Sequence, residues 1–101
     1  MEVEKWKKTF TKTTFIDNLA EAKVTLFVYE NSKYTGNVGK ERKVEYKGLK
    51  QWSIVDGKDA EDIENETDGS CIDEMHEYLV LEFTDGSKST YRNSHVDMFI
   101  R

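Results

Sequence analysis

Residues 77–91 constrain this chain more than any other stretch. Glu77 to Phe83 alternates as a β-strand, and Lys88 to Tyr91 can return beside it after a short loop. If the loop is Thr84-Asp85-Gly86, with Gly86 left-handed as a bulge, Phe83 faces Ser87. That register sets Leu79 opposite Tyr91 and Glu82 opposite Lys88, an apolar pair and a charge pair. A two-residue Asp-Gly turn would instead oppose Phe83 to Lys88 and Leu79 to Arg92. Side-chain chemistry therefore selects the three-residue loop, and an antiparallel hairpin anchors the expected fold.

The flanking sequence extends a β-rich pattern. Val24, Leu26 and Val28 alternate with Thr25, Phe27 and Tyr29, so residues 23–30 read as a strand. A polar turn region follows from Asn31 to Gly39. Residues 41–47 place Val44 and Tyr46 on one face against charges on the other, and 50–55 aligns Trp52 with Ile54. After Asn93-Ser94 comes a last apolar segment with Val96, Met98, Phe99 and Ile100.

Two stretches read as short helices. Thr14 and Asp17 have capping-box spacing ahead of Phe15, Ile16, Leu19 and Ala20, which predicts a helix over roughly 15–21. Asp56 can cap a second over 58–65, packed by the thin stripe Ala60, Ile63 and Thr67. Val3, Trp6 and Phe10 fall at helical spacing, but the Thr-rich stretch 9–14 favours an extended chain, so the N-terminal segment stays open. The expected fold class is α+β, with four to six mostly antiparallel strands in a small curved sheet and one or two short helices against it. The alternative is a small barrel, because a tight hairpin, a brief turn and a final strand resemble the end of an SH3-like barrel.

With 101 residues the chain has the size of one domain, residues 1–101. Hydrophobic residues make up 37%, and anchors from Trp6 to Phe99 span the whole length, which supplies a core and argues against disorder throughout. There is no proline, the glycines are dispersed, and nothing reads as a linker. The only repeat is Thr-Asp-Gly-Ser, at 67–70 and 84–87, as expected of a good turn former. Cys71 is the single cysteine, the opening MEVEKWKK lacks an apolar run behind its charges, and no stretch is long and apolar enough to span a membrane. These features predict a reducing, cytoplasmic setting.

The charge is lopsided. Residues 1–51 carry 11 Lys/Arg against 7 Asp/Glu, whereas 52–101 carry 4 against 13. Between 56 and 77 there are ten acidic side chains and only Lys58 opposing them. Such a neighbourhood repels phosphate backbones and attracts basic surfaces. The plainer alternative is a solubilising loop.

Sites for chemistry are weak. Cys71, His76 and His95 are metal-ligating types, but no closely spaced pair of cysteines accompanies them, so no metal or cofactor is expected. Ser94, His95 and Asp97 supply the groups of a hydrolytic triad, yet triads are assembled from separate elements. A Cys71 nucleophile with a histidine base lacks a glycine-rich oxyanion loop. Neither a P-loop nor an EF-hand spacing occurs. The expected protein is not an enzyme.

Binding remains. The first hypothesis is a non-catalytic protein-interaction module whose patch Asp59, Glu61, Asp62, Glu64, Glu66, Asp68, Asp73 and Glu74 engages a basic, nucleic-acid-handling protein. In size and charge asymmetry the chain resembles, as a functional type, the small acidic inhibitors and nucleic-acid mimics of mobile elements. The second is a small single-stranded nucleic-acid-binding domain using Arg42, Lys43, Lys47, Lys50 and Trp52. The third is a structural or assembly subunit, which would self-associate through exposed strand edges.

Overall fold

A computed structural model of the chain describes residues 19–60 and 63–101. Six strands form where β-branched and aromatic residues alternate: β1 (Val24–Tyr29), β2 (Glu41–Tyr46), β3 (Leu49–Asp56), β4 (Glu77–Phe83), β5 (Lys88–Arg92) and β6 (Val96–Ile100). They build two three-stranded antiparallel sheets, ordered β2-β1-β6 and β3-β4-β5.

The β4–β5 hairpin has the register that side-chain pairing favours. Leu79 pairs with Tyr91 and Glu82 with Lys88. The Phe83 amide donates to the Ser87 carbonyl, and Gly86 has a φ of 89°.

The core lies between the sheets. From the first sheet come Val24 and Leu26 of β1 and Val96 of β6; from the second come Leu49, Trp52, Leu79, Leu81, Phe83 and Tyr91. The ladder of β3 shifts register between Leu49 and Gln51, which lets Leu49 and Trp52 both reach the core despite their odd spacing. Burial of these side chains, at roughly 1.5–3 kcal/mol each, supplies the main driving force.

The α+β expectation is corrected. Among the described residues no α-helix forms, and the helical turns are the short 3₁₀ turns Leu19–Glu21, Gly57–Asp59 and Asn93–His95. Of the helix expected at 15–21, residues 15–18 lie outside the described residues and the remainder is the first of these turns. At 58–65 the turn ends by Ala60, and Glu61 and Asp62 lie outside the described residues. The reason is tertiary. Asp56 is the last residue of β3, paired with Glu77, and although it precedes the 3₁₀ turn as its N-cap its side chain makes no capping bond. The Gly57 amide then donates to the His76 carbonyl, which ties the chain to the end of that ladder.

The SH3-like barrel is overturned too. Closure would need both seams between the sheets to pair, β2 with β3 and β6 with β5, and neither pair shares a sheet. The chain crosses between layers at Lys47–Gly48 and again at Asn93–His95. Among the described residues no helix is long and apolar enough to cross a membrane.

Candidate functional site

The acidic segment is the long connection 57–76 between β3 and β4, and its tip is a second hairpin turn. The amide of Glu66 donates to the Ser70 carbonyl (2.7 Å), that of Gly69 to the Glu66 carbonyl (2.9 Å), and that of Ser70 to Asp68 Oδ1 (2.9 Å). The β4–β5 loop makes the same three bonds from Phe83 to Ser87, Gly86 to Phe83 and Ser87 to Asp85 Oδ1. The repeated Thr-Asp-Gly-Ser is thus one turn used twice, with its glycine at φ 96° in the first copy and 89° in the second. A bridge between Asn65 and Cys71 extends the acidic copy.

This small hairpin docks on the free edge of β5. The Thr67 amide donates to the Thr90 carbonyl (2.8 Å), and the Thr90 amide donates back to Thr67 Oγ1 (2.7 Å). The Arg92 amide donates to Glu66 Oε1 at 3.2 Å, and its guanidinium stands 3.8 Å from Oε2. An edge strand would otherwise present unpaired backbone groups. The connection leaves β3 at one edge of the second sheet and reaches β5 at the other. On the sheet face turned away from the core, Ser53, Tyr78, Val80 and Thr90 are nevertheless buried, and the return leg bonds there through the Asp73 amide to the Tyr78 hydroxyl.

Between this hairpin and the ends of β1, β2 and β5 lies a polar cleft of about 320 Å³. Glu66, Asp68, Arg42, Arg92 and His95 line it. Burial, reinforced by the Asp68 charge, pushes the Glu66 carboxyl above the usual range, while Arg92 partly offsets this. The bonds from Ser70 hold Asp68 below its usual value, with help from Arg42 and Arg92. Burial and the neighbouring Tyr46 hydroxyl raise the Tyr91 phenol. His95 sets Nδ1 3.3 Å from the Tyr29 carbonyl oxygen. The Nε of Arg92 is buried with no hydrogen-bond partner among the described residues. The cleft therefore combines both signs of charge.

The two carboxylates act oppositely on stability. Glu66 holds its proton more tightly folded than unfolded, so its contribution is present at low pH and fades as pH rises through the raised value. Asp68 contributes above its unfolded value and loses that contribution as pH falls. Glu66→Gln keeps an acceptor for the Arg92 amide without burying a charge. It should therefore match or exceed the parent in stability at pH 7, and the difference should shrink toward pH 4, read by urea unfolding across a pH series.

The sequence-derived residues divide as follows. Asp59, Glu64, Asp68, Asp73 and Glu74 are exposed, Glu66 is turned inward, and Glu61 and Asp62 lie outside the described residues. Asp73 accepts from the Met75 amide and stands 3.7 Å from His76 Nε2. Glu64, Asp68 and Glu74 form no ion pair with a described lysine or arginine. Of the alternative nucleic-acid set, Arg42 and Lys43 lie on β2 in one sheet and Lys50 and Trp52 on β3 in the other. The Trp52 ring is in the core at 6% exposure, Lys50 pairs with Glu82, and Lys47 is exposed in the connection between the layers. Cys71 is exposed, and no group of three metal-ligating side chains occurs among the described residues.

Thr67, Thr90 and Arg92, which seat the hairpin, carry no local signal, because their bonds join residues 23 and 26 positions apart. The one available clue was the repeated turn tetrapeptide. No protein-family model matches this chain, and no curated protein or solved structure matches it significantly.

Proposed function

We propose that the protein is a non-catalytic interaction module that engages a basic, nucleic-acid-handling protein through its acidic connection, in a cytoplasmic setting. The carrying observation is that the connection is anchored while most of its described carboxylates stay exposed. Thr67 and Glu66 fix the hairpin to β5, whereas Glu64, Asp68, Asp73 and Glu74 remain exposed. Among the described residues Glu66 alone of these carboxylates stands within 4 Å of an arginine, while Arg42 and Arg92 act on Asp68 from further off.

A preorganised negative surface loses less conformational freedom on binding than a mobile one. It also steers a positively charged partner and disfavours acidic competitors. The bonds from Ser70 hold the Asp68 carboxyl below its usual value, so this member of the surface keeps its charge across the physiological range.

The test is capture of the tagged protein's partners from its native cell after nuclease treatment, with a Glu61→Lys/Asp62→Lys/Glu64→Lys/Glu74→Lys variant alongside. A basic protein should be retained by the parent, fall at least about tenfold with the variant, and elute as salt approaches ~0.5 M. Equal retention by both proteins would remove the acidic connection from the account.

A further inference from the structure

The sheet β2-β1-β6 has a second face, opposite the core, and its side chains differ in character from the acidic connection. Phe27 of β1 and Phe99 of β6 meet there edge to face, with centroids 5.7 Å apart and planes at 77°. Phe99 is 50% exposed, unusual for a large apolar ring. Together with Lys23, Thr25, Lys43 and Arg101 the rings line a groove of about 180 Å³.

The register explains why these residues converge. Lys23 and Arg101 exchange backbone bonds of 3.0 Å in both directions, which continues the β1–β6 ladder beyond its named ends. Phe27 stands opposite Lys43 on one side, and Thr25 stands opposite Phe99 on the other. Three cations therefore frame two rings. The adjacent carboxylate is Glu45, shared between Lys23 at 3.2 Å and Lys43 at 3.4 Å. Asp97, the next acid along β6, is already held by the Tyr29 hydroxyl and Lys33. The third acid of this face, Glu41, stands further along, opposite Tyr29, so the groove's own lining holds three cations and no carboxylate on a chain whose formal net charge is −5.

We infer that this face binds single-stranded nucleic acid, with a base stacked on the Phe27–Phe99 pair and the phosphates carried by Lys23, Lys43 and Arg101. Stacking rings beside cations on an open sheet face suit unpaired bases, because every base offers a π-face and every linkage a negative charge. An acidic peptide would satisfy the cations and leave the rings unused. A duplex would keep its bases stacked away from them. The site is separate from the acidic connection and uses neither Trp52 nor Lys50, which belong to the other sheet.

The experiment is fluorescence anisotropy of labelled ten-nucleotide oligo-uridine and oligo-thymidine with the full chain, at about 50 mM salt where phosphate contacts are strongest. Saturable binding should appear and weaken about tenfold in Phe99→Ala, a substitution at a half-exposed position that leaves the core intact. Lys23→Gln/Lys43→Gln should weaken it and flatten its salt dependence, while Lys88→Ala on the other sheet should leave it unchanged. The inference is overturned if no binding appears up to ~200 µM protein, a concentration where even non-specific nucleic-acid contacts register. It is equally overturned if Phe99→Ala binds like the parent, or if a duplex or poly-glutamate binds as tightly. The charge-reversed acidic connection should keep or raise oligonucleotide affinity, so failure of one surface is distinguishable from failure of the other.

Discussion

Gly57→Ala is expected to lower stability by roughly 2–4 kcal/mol, an overpacking penalty at the upper end of the usual range. A methyl group at this position would sit 1.9 Å from the Asp73 carbonyl oxygen, 2.7 Å from its carbon and 3.0 Å from Glu74 Cα. All three are backbone atoms, so no rotamer change can relieve the overlap. Either the end of β3 or the return leg of the acidic connection must move, and the 2.8 Å bond from the Gly57 amide to the His76 carbonyl goes with it. Urea unfolding reads the loss. Amide exchange locates it, since Asp73 and Thr90 should lose protection while the β1–β6 ladder keeps its own. A variant as stable as its parent would show that the two legs are not in contact at this point.

Leu81→Ala should cost about 2–5 kcal/mol, because the removed methyl groups leave a cavity as well as lost transfer energy. Leu81 has no exposure, sits in the middle of β4, and pairs across the ladder with Trp52 and Ser89. Domains of this size are stable by only about 5–15 kcal/mol, so one such change consumes much of the margin. The comparison with Phe99→Ala is informative. That ring is larger but half exposed, and its loss should change stability by no more than ~1 kcal/mol. Thermal melts of the two variants side by side rank the two faces. Equal losses would mean that the outer face of the first sheet is packed as tightly as the core.

Local chemistry made the strands and the hairpin legible. Alternation located β1, β2, β3 and β4 to within a residue or two, and the Asp85-Gly86 loop set a register that the pairs Leu79–Tyr91 and Glu82–Lys88 share. What the sequence could not convey was which strands belong together. Lys47–Gly48 and Asn93-Ser94 look like ordinary turns between neighbours, yet both carry the chain from one sheet to the other. The capping signals misled for a related reason. Asp56 has the chemistry of a helix cap, but its pairing with Glu77 and the close approach of Gly57 to Asp73 hold the backbone extended up to a single 3₁₀ turn.

The site divides in the same way. A run of carboxylates is visible in any reading of residues 56–77. Which one turns inward is not, because the fate of Glu66 is decided by Arg92, 26 positions away. The pair Phe27 and Phe99 is equally non-local. Each reads as an ordinary β-former, and only the antiparallel register of β1 with β6 brings the rings together.

The docked hairpin has a bearing on how its charge should be removed. Thr67 and Glu66 occupy the hydrogen-bonding groups of Thr90 and Arg92 that would otherwise line an open strand. Excising the loop would leave that row of amides and carbonyls bare, and a truncated protein would carry an adhesive border that recruits other chains or copies of itself. Clumping in such a deletion would reflect the loss of a lid over β5 and say nothing about electrostatic recognition. Substitutions that reverse the outward charges and spare Thr67 keep the border sealed.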